Sequence, residues 1–141
     1  MYVRNDVVRF GPGAAAFASS LDTTGLGASF AQQYYSIAGG ASRAQLGAVY
    51  RPTSVLTFEG RPAAGVAAIM ESVSRAPSGK QEIITLDVQP VAAGAVAILV
   101  SGRITLEGEA NALNFAQAFA VVNDPASGGP YVANEFFRFN M

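Results

Sequence analysis

Two neighbouring segments in the second half of the chain are apolar at both odd and even positions. One contains the run Ala95 to Val100, and the other, residues 112–123, alternates large apolar side chains with alanines. A strand with one face in water alternates apolar and polar residues, and these segments do not. They therefore predict a sheet with both faces covered, which constrains the fold more than any other feature of the sequence.

Helical periodicity precedes these segments. Apolar residues at i, i+4 and i+7 spacing predict a helix from Asp22 to the glycine pair at 39–40. A second, shorter helix is predicted from Ser42 to just before Pro52, because proline cannot continue a helix. A third helix is predicted over residues 66–74. Residues 1–21 carry Gly, Pro and Ala without a period and are interpreted as a disordered extension, so the predicted domain spans residues 22–141.

Period-two patterns predict the strands, at 54–58 with a short return strand to Gly65, and then at 81–90, 94–106, 112–123 and 130–139. Helices followed by antiparallel strands indicate an α+β fold with the helices on one face of the sheet. Three helices are too few to coat both faces. The sequence therefore predicts a homodimer formed through the sheet face that carries Leu99, Ala118 and Phe136.

The composition excludes several classes of function. Charged residues make up 13% of the chain, the net charge is −1, and no Lys/Arg cluster occurs, so we expect no nucleic-acid partner. No apolar run reaches the length of a membrane helix, so we expect no membrane partner. The chain has neither cysteine nor histidine, which excludes thiolate nucleophiles and imidazole chemistry. We predict no metal, no cofactor and no catalytic residue.

Five short strings resemble the nuclear transport factor 2 family, in the same order and at similar spacings over about residues 22–140. They are QQYY at 32–35, QLGAVY at 45–50, LTFEG at 56–60, GVAAIME at 65–71 and NEFFR at 134–138. The resemblance implies a curved antiparallel sheet wrapped around three helices, forming a cone with an apolar cavity and a dimer through the sheet. It agrees with the α+β fold predicted from periodicity.

The resemblance also implies a function, which is to carry the GDP-bound form of the small GTPase Ran into the nucleus. In the family, a Ran aromatic enters the cavity and acidic residues at its rim pair with Ran lysines. The rim positions correspond here to Glu59, Glu107 and Glu109. The family usually has Asp at the last two positions, and one extra residue follows them here. The cavity-lining positions correspond to Phe58, which replaces a tryptophan, and to Ala76, Leu106, Leu113 and Phe137.

A second family surface binds phenylalanine-glycine repeats of nucleoporins beside a tryptophan in the first helix. That position corresponds here to Thr23, and the chain contains no tryptophan. Because an indole is a natural platform for a repeat phenylalanine, we expect repeat binding that is weaker or lies elsewhere. The resemblance implies localisation to the cytoplasm, the nucleus and the nuclear pore or envelope.

Two alternatives remain open, because one fold hosts many functions. The same cone fold serves small-molecule isomerases and dehydratases, for which the candidates would be Asp87 or Glu82 with Tyr34 or Tyr50. Glu82 and Asp87 are an odd number of residues apart on a predicted strand, so we expect them on opposite faces. The tyrosines are interpreted as core residues with satisfied hydroxyls. The other alternative is an mRNA-export adaptor that acts as a subunit of a heterodimer.

Overall fold

A computed structural model describes the backbone of residues 14–39, 42–124, 126 and 128–140, with side chains from Gly25 onward. Helix α1 (Ala14–Ala38) is followed by a 3-10 helix (Arg43–Val49), and α2 (Val66–Arg75) lies between the second and third strands. The strands are β1 (Tyr50–Phe58), β2 (Arg61–Ala64), β3 (Gly79–Ala92), β4 (Ala95–Leu106), β5 (Ala112–Asp124) and β6 (Gly129–Asn140). No helix in this described part is long and apolar enough to cross a membrane.

All six strands form one curved, open sheet in the order β2-β1-β6-β5-β4-β3. The α+β prediction with three helices around a curved sheet is confirmed. The antiparallel prediction is wrong at one position, because β1 and β6 run parallel. Their side-by-side pairing joins two segments far apart in the chain, and periodicity alone carries no information about such long-range pairing.

The predicted start of the first helix is wrong. Helix α1 begins at Ala14, before Asp22, so the segment interpreted as an extension overlaps the helix. Alanine is the commonest residue between Ala14 and Leu21, and this segment has no glycine or proline. Alanine has the highest helix propensity. Residues 1–13 of the predicted extension lie outside the described residues.

Helix α1 lies close to the sheet because Gly27 faces β3 and β4. A Cβ atom at Gly27 would lie 2.7 Å from Val88 Cγ1 and 3.3 Å from Val96 Cγ2. The absence of a side chain therefore lets the helix backbone pack directly on the strands. Phe30, Tyr34 and Tyr35 follow on the same side of the helix and are buried.

The concave face of the sheet forms the core, as the period-two patterns predict. Alternate residues of β4 and β5 are buried from Val96 to Ile104 and from Phe115 to Val121. The intervening residues form the convex face, where Leu99 and Phe136 are 53% and 57% exposed. The convex face is therefore apolar and uncovered in one chain.

Candidate functional site

The two turns that carry the predicted acidic residues lie at the same end of the sheet. Phe58 at the end of β1 pairs with Phe137 near the end of β6, and Phe139 pairs with Phe115 of β5. At the same end, the last residues of β4 pair with the first residues of β5 and of β3. The β1–β2 turn and the β4–β5 turn therefore lie at one edge of the molecule, three strands apart, or roughly 14 Å.

A small cavity of about 60 Å³ opens near this end, between the sheet, the 3-10 helix and α2. Three of the predicted cavity residues line it, namely Phe58, Ala76 and Phe137. Leu106 and Leu113, also predicted, are partly buried against the core and do not belong to the lining. Other lining residues include Leu46, Leu56, Val73, Gln81, Ile104 and Phe139. The lining is therefore apolar apart from a few polar side chains.

Stacked phenyl rings form one wall of the cavity. The rings of Phe58 and Phe137 stack with centroids 5.0 Å apart, and Phe137 stacks in turn on Phe115 at 5.3 Å. Phe139 meets Phe137 edge-on at 5.0 Å. Offset stacking and edge-to-face contacts are the favoured arrangements of aromatic pairs. The replacement of the family tryptophan by Phe58 therefore leaves a continuous aromatic wall.

Glu59 occupies the β1–β2 turn and is held there by main-chain contacts. Its φ is 51°, an uncommon conformation for a residue other than glycine. Its N–H donates to Phe137 O over 2.9 Å, and its Oε1 accepts a hydrogen bond from Phe139 N–H. Arg138 Nη1 lies 4.0 Å from Glu59 Oε2. Glu59 is therefore partly a structural residue, which the sequence does not reveal.

Glu107 and Glu109 flank Gly108 in the β4–β5 turn, and both are exposed. Gly108 has a φ of 80°, and Glu109 N–H donates to Leu106 O over 3.0 Å, which closes a tight turn. Glu107 also borders a groove with Tyr35, Lys80 and Gln81 beside the cavity. The two carboxylates thus project into solvent from a fixed turn.

A buried polar cluster beneath the cavity was not predicted from the sequence. Glu135 is 3% exposed and accepts hydrogen bonds from Tyr50 Oη at 2.6 Å, Tyr34 Oη at 3.0 Å and Gln117 Nε2 at 2.5 Å. Tyr35 Oη donates to Gln117 Oε1 over 2.6 Å. These contacts confirm the interpretation of Tyr34 and Tyr50 as core residues with satisfied hydroxyls. The signal for Glu135 was its position two residues before Phe137, hence on the same inward face.

Burial raises the pKa of the Glu135 carboxyl above its usual value, and the hydrogen bonds from Tyr50, Gln117 and Tyr34 oppose that rise. Burial also raises the pKa of the Tyr34 and Tyr50 hydroxyls, and the nearby Glu135 carboxylate raises it further. The phenols therefore stay neutral and act as donors. The cluster is a closed set of hydrogen bonds in which the carboxylate accepts from three partners.

The other acidic candidates for an enzyme site lie outside the cavity. Glu82 pairs with Arg103 and Asp87 with Leu99, and a register shift between Ile83 and Thr85 separates the two pairs. Since Arg103 and Leu99 both belong to the convex face, Glu82 and Asp87 lie on that same face. The expectation that they face opposite ways is wrong, because the irregularity adds a residue to β3.

The three predicted dimer residues form one row on the convex face. Leu99 pairs with Ala118, and Ala118 pairs with Phe136, so the row crosses β4, β5 and β6. Large exposed side chains flank the small Ala118. Thr23, the predicted contact for nucleoporin repeats, lies within the backbone of α1, and its side chain is outside the described residues.

A curved sheet around three helices, with a cavity at one end and acidic turns beside it, defines a cone-shaped α+β domain. A sequence model of the nuclear transport factor 2 domain matches residues 26–139. The chain belongs to the nuclear transport factor 2 family.

Relatives with this name occur in fungi and plants. The chain is 37% identical over 121 residues to nuclear transport factor 2 of Neurospora crassa, an alignment that covers 84% of this chain and 96% of the relative. It is 36% identical over 125 residues to nuclear transport factor 2B of Arabidopsis thaliana, covering 86% and 98%. Among solved structures, nuclear transport factor 2 of Cryptosporidium parvum superposes with a TM-score of 0.75 at 28% identity, covering 86% and 95%.

Proposed function

We propose that this chain is a nuclear transport factor, without catalytic activity, that binds GDP-bound Ran at the cavity end of the sheet and carries it into the nucleus. The relatives are named as nuclear transport factors and align over nearly their whole length, which supports this role. The proposed route passes from the cytoplasm through the nuclear pore to the nucleus.

The observation that carries the proposal is the convergence of Glu59, Glu107 and Glu109 at the edge that also holds the cavity. Two of the three carboxylates, those of Glu107 and Glu109, are exposed at a turn that is closed by a main-chain hydrogen bond. Such groups strengthen contacts with a basic partner and accelerate its association. Glu59 contributes less free charge, because Arg138 lies beside it.

The size of the cavity limits what can enter it. An engineered cavity of about 150 Å³ holds benzene, whereas this cavity measures about 60 Å³. A Ran aromatic can therefore enter only when lining side chains move apart. We expect its ring to meet the aromatic wall at Phe58, which is half-buried and stacks on Phe137. Burial of such a ring would supply most of the binding area.

The convex face supports a homodimer. Leu99 and Phe136 are among the most exposed large apolar side chains of the described residues, and Ala118 lies between them in the row. Contiguous exposed apolar surface is typical of protein interfaces. A second copy placed back to back would cover this face by the same residues on both chains.

We propose that nucleoporin phenylalanine-glycine repeats bind at a separate surface beside the first helix. The corresponding surface includes Thr23 in α1, where an indole is missing. We infer that repeat binding is weak at this position unless other apolar residues of the dimer contribute.

The isomerase or dehydratase alternative depends on Glu135, since it is the carboxylate that lines the cavity. A general base needs a free lone pair directed at the substrate. Glu135 instead accepts from Tyr50, Tyr34 and Gln117 and is nearly inaccessible. This arrangement favours a structural role, and it favours the transport proposal over the enzyme alternative.

A pull-down with purified Ran tests the proposal. Immobilised chain is incubated with GDP-loaded or GTP-loaded Ran under matched conditions. We expect retention of the GDP form and little of the GTP form. Equal retention of both forms, or of neither, would remove the basis for the transport role.

A further inference from the structure

Gln81 lies on the concave face of β3 with a buried polar atom that has no partner. Its Oε1 is shielded from solvent and makes no hydrogen bond, alone in this respect among the side chains that the structure describes. Gln81 lines both the cavity and the adjoining groove that contains Glu107. The side chain that carries this unpaired acceptor is therefore part of the wall that a ligand would meet.

The pairing of β3 with β4 places Gln81 on the concave face of the sheet. It pairs with Ile104, which is buried in the core, while its neighbours Lys80 and Glu82 pair with Thr105 and Arg103 of the convex face. Its Oε1 lies close to the residue that follows α1, since a Cβ atom at Gly39 would be in ordinary contact with it at 3.5 Å. An apolar residue is the pattern expected at such a position.

A buried acceptor without a donor lowers the stability of the free protein. Natural proteins break local rules of this kind mostly at functional or strained sites. Gln81 fits this description, because its side chain lines both the cavity of the proposed binding site and the groove beside it. A hydrogen bond supplied there would be made in a largely dry environment, where it is stronger than in water.

We propose that Gln81 is a specificity-determining residue, whose Oε1 accepts a hydrogen bond from an N–H or O–H group on the partner segment that enters the cavity. This proposal rests on the proposed function, because it needs a protein partner that inserts a segment at this site. The cavity then selects for a segment that brings a donor beside its apolar group. An occupant without a donor leaves the acceptor unpaired and binds less tightly.

The test compares Gln81→Met and Gln81→Leu with wild type for thermal stability and for calorimetric binding of GDP-loaded Ran. Both substitutions remove the acceptor and replace the glutamine with an apolar side chain of similar size. Gln32→Met is the matched control, since Gln32 is exposed on α1 and methionine and glutamine have similar helix propensities. If only the partner supplies a donor to Gln81 Oε1, removing this acceptor should raise the stability of the free protein and lower its affinity for Ran.

We expect the Gln81 variants to melt higher by about 2–5 °C and to bind about tenfold more weakly, with the control unchanged in both. Unaltered binding by variants that fold would overturn the proposal and leave the proposed function standing, because the acceptor would then be satisfied by water. A lower melting temperature, or loss of folding in both variants, would also overturn it. Absence of binding by wild type would overturn the proposed function and this proposal together.

Discussion

Tyr50 donates a hydrogen bond to Glu135 over 2.6 Å and thereby joins the first residue of β1 to the middle of β6 inside the core. The two strands run parallel, and no tight turn connects them. Tyr34 brings α1 into the same cluster through its own bond to Glu135. A single buried carboxylate thus ties together the helix and two strands that form the floor of the cavity.

The pH dependence of stability should report on Glu135. Its folded-state pKa is raised from 4.5, so the folded chain holds this proton more tightly than the unfolded chain. The contribution of Glu135 to the free energy of unfolding is therefore greatest at low pH. It falls as the pH rises from the usual value through the raised folded-state value.

We expect Glu135→Gln to remove this pH-dependent decrease in the free energy of unfolding. The melting temperature of the variant minus that of wild type should become more positive as the pH rises above the usual carboxyl pKa of 4.5. Glu82→Gln is the matched control, because Glu82 is exposed on β3. A difference that stays constant or decreases with pH would show that the burial of Glu135 does not govern its protonation.

Because the Glu59 side chain accepts a main-chain hydrogen bond, we expect two substitutions of Glu59 to lower the free energy of unfolding by different amounts. Glu59→Ala leaves Phe139 N–H without its acceptor and should lower the free energy of unfolding by about 1–2 kcal/mol. Glu59→Gln keeps an oxygen at the same place and should cost less. Urea denaturation of both variants, with Glu107→Ala as an exposed control, measures the two effects. Equal losses for alanine and glutamine would rule out the main-chain anchor as the cause.

The row formed by Leu99, Ala118 and Phe136 on the convex face predicts a dimer. Phe136→Glu places a charge in an apolar interface on both copies of a symmetric dimer, so the dimer should weaken by more than about a hundredfold. Sedimentation equilibrium at micromolar concentration should show a wild-type dimer and a variant monomer. Ala67→Glu adds a charge at an exposed position of α2 and should leave the dimer intact. A monomeric wild type would exclude this interface.

Placing an indole at position 23 should increase the affinity for nucleoporin repeats. Thr23→Trp should strengthen binding of a phenylalanine-glycine repeat peptide, because an indole stacks on the repeat phenylalanine. Fluorescence titration with Gln32→Trp as the control separates a local effect from a general effect of added aromatic surface. Unchanged affinity in Thr23→Trp would place the repeat-binding surface elsewhere.

Local patterns predicted most of the secondary structure. The helix predicted at 66–74 is observed as Val66–Arg75, and the strand predicted at 112–123 as Ala112–Asp124. These elements are short-range features set by periodicity and turn residues. The irregular pairing in β1 and β3 was not predictable in this way, because residues added to one strand of a pair leave no mark in a period-two pattern.

The acidic turns of the candidate site were predictable from local sequence, and its buried hydrogen bonds were not. The turn positions of Glu59, Glu107 and Glu109 follow from the glycines beside them. The main-chain anchor of Glu59 and the partners of Glu135 depend on contacts between β1 and β6. Those contacts exist only once the parallel pair has formed, so no local pattern could indicate them.

We propose that the exposed acidic turn beside the cavity, with Glu107 and Glu109, binds GDP-bound Ran. The most direct measurement is calorimetric binding of GDP-loaded Ran to wild type and to the double variant Glu107→Lys/Glu109→Lys, with melting curves to verify folding. Both residues are exposed, so stability should change by less than about 0.5 kcal/mol per substitution. Reversal of close interfacial charges should weaken binding by several kcal/mol. A folded double variant that binds GDP-loaded Ran as tightly as wild type would contradict the account.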